Sequence, residues 1–172
     1  RDDLIREYLE IVKNSGNHLL KILNDILDFS KIEAGNLLLE KREFPLLQIF
    51  LSIDNFFRMN IEKKGITFEI NNAENLPHHI IGDEVRIKQM LMNLVSNASK
   101  FTESGSITVD AKTFPDNTLP GLIPLEISVT DTGCGIEPEK HNLIFSKFQQ
   151  AEMSTSRKYG GSGLGLSIVK EL

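Results

Sequence analysis

The sequence predicts a mixed α/β domain preceded by one long helix, and three observations carry this prediction. Residues 2–34 repeat apolar side chains at heptad spacing, which is typical of a helix in a bundle. Further along, short segments that alternate apolar and polar residues indicate strands. Between these segments, residues 83–99 carry a second apolar stripe at helical spacing. Residues 2–34 are therefore expected to form one helix, and residues 37–172 to mix helices with strands.

The composition is that of an ordinary globular protein. Of the 172 residues, 40% are hydrophobic and 25% are charged, and the net charge is −5. This negative charge disfavours nucleic acid as a partner. The single cysteine, Cys134, cannot form an internal disulfide, which fits a reducing compartment. The sequence has neither a signal peptide nor an apolar run of membrane-spanning length. We therefore expect it to lie in the cytoplasm, whether or not its parent protein is membrane-anchored.

The long helix is expected to need a partner helix. Gly35 is a good helix stop, so the pattern ends there. No comparable heptad helix follows, so the partner would come from residues upstream, from another subunit, or from both. The chain begins without Met and stops within a helical pattern, so we expect it to be part of a longer protein. The heptad stripe consists of Ile5, Tyr8, Val12, Ser15, Leu19, Ile22, Ile26 and Phe29, widened by Leu9 and Leu23.

Two histidine positions invite a functional interpretation that the sequence supports only weakly. His18 lies on the long helix, where a solvated or packed side chain is the usual role. It could accept a phosphate, but no carboxylate stands immediately beside it. His78 and His79 suggest a metal site, yet neighbouring side chains on a strand point to opposite faces. We interpret this pair as loop residues.

Residues 37–82 alternate between extended and helical patterns. The segment 37–44 reads as extended and ends at Pro45, and 46–62 reads as a helix closed by Gly65. Residues 66–70 alternate apolar and polar side chains, which predicts a half-buried strand. A loop over 71–77 and a short strand or connector over 78–82 follow.

The second helix, 83–99, has two distinct faces. Asp83 is suited to be its N-cap, and the apolar stripe consists of Ile87, Leu91, Leu94 and Ala98. Asparagine is a mediocre helix former, so Asn93 and Asn97, one turn apart, need a reason. They could be a solvent-exposed polar pair. Alternatively, they line a pocket in which amide oxygens bind a hard cation such as Mg²⁺. Lys100, like Arg86, continues this polar face, with a positive charge suited to phosphate.

A carboxylate followed by two glycines ends the next pair of strands. Residues 106–111 and 125–130 both alternate with period two, and a long hairpin connection over 114–124 joins them. Asp131 then stands at a strand end, followed by Gly133 and Gly135. A carboxylate repels phosphate but accepts hydrogen bonds, so it suits the base end of a nucleotide, such as an exocyclic amine. The third glycine of a dinucleotide fingerprint is absent.

The last part of the sequence reads as a lid followed by a phosphate loop. Residues 137–159 are long and polar, and Phe145 and Phe148 would anchor them to the core. Arg157 and Lys158 could reach phosphates, although a solvated pair is the commoner role. Four glycines within residues 160–165 then open into an apolar helix. A flexible turn is one interpretation; the other is an anion cradle, because amides of the first helical turn point at a ligand.

The order of these motifs resembles the catalytic, ATP-binding region of sensor histidine kinases, within a fold shared with DNA gyrase, mismatch-repair and heat-shock chaperone ATPases. Residues 83–102 are similar to its asparagine box, 131–136 to its first glycine box, 145–148 to its phenylalanine box and 161–166 to its second glycine box. Residues 19–35 resemble the second helix of the dimerisation and phosphotransfer domain.

The resemblance implies both architecture and domain organisation. It implies a two-layer α+β sandwich of the histidine kinase and gyrase ATPase type, preceded by a long helix of a helical bundle. Residues 1–36 would be a partial dimerisation and phosphotransfer helix. Residues 37–172 would be the catalytic ATP-binding domain, without the strands that end the family's domain.

The resemblance also implies a role for each matching position. Asn97 and Asn93 would bind Mg²⁺, and Lys100 would contact phosphate oxygens, which makes these three the catalytic set. The remaining nucleotide-binding positions would be Phe101, Asp131, Gly133, Gly135, Ile136, Phe145, Phe148, Gly161, Gly163, Leu164 and Gly165.

One position separates kinase from ATPase chemistry. The hydrolysing relatives carry a Glu four residues before the metal-binding Asn, and this sequence has Asn93 there. An amide cannot act as general base for water, which favours phosphoryl transfer to a histidine over hydrolysis. The family's phosphoacceptor box is absent, so the chain alone is expected not to phosphorylate itself. An ATP-hydrolysing enzyme and a catalytically incompetent nucleotide-binding module are the alternatives.

The implied partners follow from the same resemblance. They are ATP or ADP with Mg²⁺, a phosphoacceptor helix of the same or a second subunit, and a response-regulator receiver domain. The parent protein would be a homodimer.

Overall fold

The chain folds as two compact units. The computed structural model describes residues 2–71, 73, 76–114, 123–146 and 163–172. The first unit comprises Arg1–Leu38 and Glu139–Glu171, and the second comprises Leu39–Pro138 and Leu172. The helices are α1 (Asp2–Glu33), α2 (Leu47–Glu62), α3 (Glu84–Phe101) and α4 (Gly165–Glu171); the strands are β1 (Arg42–Pro45), β2 (Ile66–Asn71), β3 (His79–Gly82), β4 (Gly105–Thr113) and β5 (Leu125–Asp131).

The second unit contains two sheets. β2, β4 and β5 form a three-stranded sheet in the order β2-β4-β5, whereas β1 and β3 form an antiparallel pair. β2 runs parallel to β4, with Ile66 opposite Gly105, so the chain between them makes the crossover that parallel strands require. β4 and β5 are antiparallel, which confirms the predicted hairpin, and their last pair is Ile107 with Asp131.

The core of the second unit lies between its helices and the three-stranded sheet. α2 contributes five buried apolar side chains, because its hydrophobic residues recur at helical spacing. They pack against α3 and against alternate residues of β2 and β4, such as Phe68 and Val109. Helices on one layer and strands on the other make the predicted two-layer α/β sandwich, and this fold class is confirmed.

Arg58 ties the outer face of α2 to the sheet. Its guanidinium forms ion pairs with Asp54 and Glu62 and donates to the carbonyl of Phe68 at 3.0 Å. These carboxylates raise the pKa of Arg58.

The N-terminus of α3 agrees with the prediction from the sequence, but the residues that face the core differ from those predicted. Asp83 is the N-cap, and its Oδ1 accepts from the Arg86 amide at 3.1 Å. The buried apolar residues of α3 are Leu91, Val95 and Ala98, whereas Leu94 is only half-buried, so its assignment to the apolar stripe was wrong. Spacing alone allowed either residue, and the packing of α2 and the sheet decided for Val95.

The two adjacent histidines do not both lie in a loop. His79 is the first residue of β3 and pairs with Pro45, so its interpretation as a loop residue was wrong. The carbonyl of His78 accepts from the Leu46 amide at 3.1 Å, just beyond that pair. Antiparallel pairing with β1, which lies far away in sequence, therefore extends the strand through His79.

The first unit contains the long helix α1 and the short helix α4, which are in contact. Phe29 of α1 and Leu164 and Ile168 at the other end of the chain are buried. Most of the α1 heptad stripe is exposed; Val12, for example, is 68% exposed. The side chain of His18 lies outside the described part. The exposed large apolar residues of α1 are Leu4, Ile5, Tyr8, Leu9, Ile11, Val12, Leu19, Leu20, Leu23, Ile26 and Leu27.

Candidate functional site

The polar face of α3 is the first part of the candidate site. Asn93 is buried, with 7% of its surface exposed, and Asn97 is half-buried one turn further on. Helical spacing puts Asn93 on the side of α3 roughly opposite Leu91 and Val95, away from the core stripe. The solvent-exposed alternative is therefore wrong for Asn93. Amide oxygens on one helical face suit a hard cation.

Lys100 and Phe101 end the same helix. The Lys100 amine lies 4.9 Å from the centre of the Phe101 ring, within cation–π distance. Partial burial of the ammonium group lowers the pKa of Lys100, because desolvation disfavours the charged form. A cation held in a partly desolvated place is well suited to bind an anion.

Asp131 ends β5 and begins a tight turn. Its Oδ1 accepts a hydrogen bond from the Gly133 amide at 2.8 Å, which anchors the carboxylate to its own loop. The side chain remains exposed, so it is accessible to a ligand. This arrangement agrees with a carboxylate presented at a strand end.

Gly133 brings the Asp131 turn against the end of α3. A Cβ atom at Gly133 would lie 2.5 Å from the Phe101 carbonyl oxygen and 2.7 Å from Asp131 Oδ1. No other residue type fits without displacing backbone. The close approach puts the predicted base-binding turn beside the helix end that carries Lys100.

Gly135 and Ile136 complete the turn. Gly135 has φ +69°, in the left-handed region that favours glycine. Ile136 is 47% exposed although it is strongly apolar. An exposed apolar side chain directly after a glycine turn can pack against a flat ring such as a base.

The remaining described site residues belong to the first unit. Gly163 has φ +68°, and the buried Leu164 follows it just before α4 begins at Gly165. The Leu164 carbonyl accepts from the Ile168 amide at 2.9 Å and from the Ser167 hydroxyl at 2.8 Å. Phe145 ends a short 3₁₀ turn, and the Lys170 amine lies 5.9 Å from its ring.

Two predicted nucleotide-binding residues, Phe148 and Gly161, lie outside the described residues. So do Arg157 and Lys158 and most of the segment interpreted as a lid. The structure therefore describes the predicted lid only up to residue 146.

The sequence interpretation missed Thr132 and Gly105. Thr132 Oγ1 accepts from the Ser106 amide at 2.9 Å, and Gly105 has φ +104° beside it. The sequence signal that could have identified Thr132 is its hydroxyl, because this residue directly follows the carboxylate at the end of the strand.

Comparisons with known proteins divide the chain into two matched regions. Residues 82–172 match the family model described as histidine kinase-, DNA gyrase B- and HSP90-like ATPase. Residues 1–35 match the His kinase A (phospho-acceptor) domain model. The first match contains α3, the Asp131 turn and α4.

Curated relatives are sensor kinases. The chain is 42% identical over 171 residues to the autoinducer 2 sensor kinase/phosphatase LuxQ of Vibrio cholerae, which covers 99% of the chain and 20% of that protein. It is 40% identical over 168 residues to the signal transduction histidine-protein kinase BarA of Escherichia coli, covering 97% of the chain and 18% of that protein. The chain thus spans about a fifth of the length of these relatives.

Solved structures give the same fold. Full-length ShkA in complex with AMPPNP matches with a TM-score of 0.77 and 32% identity, covering 96% of the chain and 33% of ShkA. The histidine kinase ThkA in complex with the response regulator protein TrrA matches with a TM-score of 0.59 and 30% identity, covering 90% of this chain and 43% of the ThkA chain.

Within the described ranges, no helix is both long and apolar enough to cross a membrane.

Proposed function

Because the chain belongs to the histidine kinase-, DNA gyrase B- and HSP90-like ATPase family, we propose that it is the ATP-binding catalytic part of a sensor histidine kinase. It transfers the γ-phosphoryl group of ATP to a histidine of a phosphoacceptor helix. The acceptor helix belongs to the same or a second subunit. The observation that carries the proposal is the juxtaposition, in one unit, of the α3 polar face with the Asp131 turn, through Gly133 and Phe101.

The base end of the nucleotide binds at the Asp131 turn. Asp131 accepts from the exocyclic amine of adenine, while Gly133, Gly135 and Ile136 shape the surface beside it. The exposed apolar surface of Ile136 supports this assignment, since it has 47% of its area available for the base.

The phosphate end binds along α3. The amide oxygens of Asn93 and Asn97 hold Mg²⁺, and the Lys100 amine contacts phosphate oxygens. No group of three His, Cys, Asp or Glu side chains in the described residues could hold a metal ion. The donor set on α3 still fits Mg²⁺, which keeps several waters and completes its coordination with substrate phosphates.

The reaction is an in-line phosphoryl transfer. Mg²⁺, when bound, neutralises charge on the phosphates. The chain orients the nucleotide through Asp131 at one end and Lys100 at the other, and Lys100 stabilises developing negative charge. Asn93 lacks the basicity needed to activate water, which favours transfer over hydrolysis.

In the first unit, the residues proposed to bind nucleotide are Phe145, Phe148, Gly161, Gly163, Leu164 and Gly165. Buried Leu164 and the left-handed Gly163 support a defined backbone at the start of α4. The proposed partners are a response-regulator receiver domain and a second copy of the parent protein. The proposed domain boundary is at residues 36–37, and the proposed place of action is the cytoplasm, where ATP is available.

Calorimetric titration of ADP into the chain, with and without Mg²⁺, tests the proposal. We expect binding that requires Mg²⁺ and that falls at least about tenfold in Asn97→Ala, because a metal ligand is lost. Asn60→Ala, on the exposed side of α2, is the matched control and should bind normally. Absence of ADP binding to the folded chain would contradict the proposal.

A second assay separates kinase from ATPase chemistry. The chain is mixed with labelled ATP and a separate helix that carries a phosphoacceptor histidine. Labelling of that helix supports transfer. Steady phosphate release without labelling, abolished by Asn93→Ala, would identify a hydrolysing enzyme instead.

A further inference from the structure

Thr132 stands where the β4–β5 ladder stops. The last ladder pair is Ile107 with Asp131, and the next pair would be Ser106 with Thr132. The Thr132 amide donates to the Ser106 carbonyl at 3.1 Å, as a ladder residue would. In the other direction, the Ser106 amide donates to Thr132 Oγ1 at 2.9 Å. A side-chain hydroxyl thus takes the place of the backbone carbonyl that normally completes such a pair.

This substitution lets the backbone leave the sheet immediately after Asp131. The Thr132 carbonyl is not needed for the ladder, so the chain can turn toward Gly133. The same turn lets the Gly133 amide reach Asp131 Oδ1 at 2.8 Å. Thr132 therefore joins the end of the sheet to the turn that presents the carboxylate.

The Thr132 hydroxyl also contacts the turn that follows α3. Gly105 has φ +104°, and a Cβ atom there would lie 2.1 Å from Thr132 Oγ1. The hydroxyl is also within 3.3 Å of the Ser104 carbonyl and 3.4 Å of the Ser106 carbonyl, to which it can donate. The side chain is held by backbone groups that precede and begin β4.

Two contacts therefore hold the Asp131 turn. Gly133 rests against the Phe101 carbonyl, and Thr132 is hydrogen-bonded to the residues 104–106. The Gly133 contact constrains the distance of the turn from α3. The Thr132 hydrogen bonds constrain the direction in which β5 ends. Without the Thr132 hydroxyl, the turn would keep the Gly133 contact and the bond from the Thr132 amide to the Ser106 carbonyl, but it would lose the side-chain bonds to residues 104–106.

We propose that Thr132 is a positioning residue for base recognition, which acts through Asp131 and does not touch the nucleotide. Its hydroxyl orients the carboxylate toward the exocyclic amine of adenine. This inference rests on the proposed function, since it presupposes that Asp131 accepts from that amine.

The test compares ADP with inosine diphosphate, which carries a carbonyl where adenine has its amine. Affinities of the chain for both nucleotides are measured by calorimetry with Mg²⁺. Thr132→Val keeps the shape of the side chain and removes its hydrogen bonds. We expect it to weaken ADP binding about fivefold and to leave inosine diphosphate binding unchanged. Thr132→Ser, which keeps the hydroxyl, should restore the preference for ADP.

Asp131→Ala is the reference variant and should abolish the preference for ADP. If the chain binds no ADP, the proposed function and the inference both fail. If the chain binds ADP but its preference does not depend on Asp131, the assignment of the base to the Asp131 turn fails, and the inference fails with it. If Asp131 matters but Thr132→Val keeps the full preference, the inference alone is overturned. It is also overturned if Thr132→Val weakens both nucleotides equally, which indicates a merely structural role.

Thermal unfolding checks that each variant is folded. If Thr132→Val does not fold, Thr132→Ala provides the same comparison with a smaller side chain. The same selective loss for ADP is expected there, and an unchanged preference contradicts the inference.

Discussion

At the scale of one residue, the charged form of Lys100 is destabilised in the folded chain, which is a feature of many binding sites. Partial burial lowers the pKa of Lys100, so its charged form is less stable here than in water. The nearby Phe101 ring offsets part of this cost. A lysine that serves only solubility would remain hydrated. A partly desolvated position suits a lysine whose proposed role is to bind phosphate.

Replacing Lys100 should separate stability from binding. In Lys100→Met, we expect ADP affinity to fall about tenfold, because a charge-assisted contact to phosphate is lost. The free energy of unfolding should not decrease, because the desolvated charge is removed. Calorimetry and urea denaturation measure the two quantities. Lys88→Met, at another position on α3, is the control and should bind ADP normally; an equal loss there would contradict the assignment.

The sign of the pH dependence follows from the same pKa shift. The folded pKa of Lys100 lies below the unfolded value of 10.5. Between these values the unfolded chain binds more protons, so this group makes the folded chain more stable as pH rises. Urea denaturation between neutral pH and 10.5 should show the wild type gaining stability relative to Lys100→Met. If the stability of the wild type relative to Lys100→Met fell as the pH rose, the pKa shift of Lys100 would have the opposite sign.

At the scale of an element, the side chain of Asp83 holds the start of α3. Asp83 accepts two hydrogen bonds, from the Arg86 amide at 3.1 Å and from the Glu40 amide at 3.0 Å. One carboxylate thus caps the helix and joins it to the segment that precedes β1. At the far end, the Lys64 amine donates to the Ser99 carbonyl at 2.7 Å. The helix that carries the polar face is therefore fixed at both ends.

Removing the cap should destabilise the second unit. We expect Asp83→Ala to lower the free energy of unfolding by about 1 kcal/mol, since the first turn of α3 loses its acceptor. Asp83→Asn keeps a capping oxygen and should recover most of this loss. Urea denaturation followed by circular dichroism measures both. Equal stabilities for the alanine variant and the wild type would contradict the capping role.

At the scale of the whole molecule, α1 carries an extended exposed apolar face in the described part of the chain. Eleven large apolar side chains of this helix are exposed. In water such a stripe is stabilised by pairing with another helix. The proposed homodimer of the parent protein would supply that partner.

Self-association of the chain should depend on this face. In the double variant Val12→Glu, Leu19→Glu, we expect a shift from dimer to monomer, because charges replace apolar side chains that are 68% and 59% exposed. Sedimentation velocity measures the change. Asn17→Glu, at an exposed polar position of the same helix, is the matched control. A wild-type chain that stays monomeric at all concentrations tested would contradict the prediction.

The sequence by itself determined the elements and the order of the motifs. Heptad spacing predicted α1, alternation predicted β2, β4 and β5, and Asp83 marked the start of α3. These features are readable because they depend on neighbours within a few residues, whose geometry is set by helical or strand period. The polar face with Asn93 and Asn97 was visible for the same reason.

Tertiary structure alone decided what each face contacts. Spacing could not tell whether Leu94 or Val95 faces the core, nor that Asn93 is buried on the opposite side of α3. The Thr132 contact with Ser106 spans 26 residues, and Gly133 meets Phe101 across a comparable separation. Such contacts depend on how distant strands and helices pack, and local periodicity carries no information about that packing.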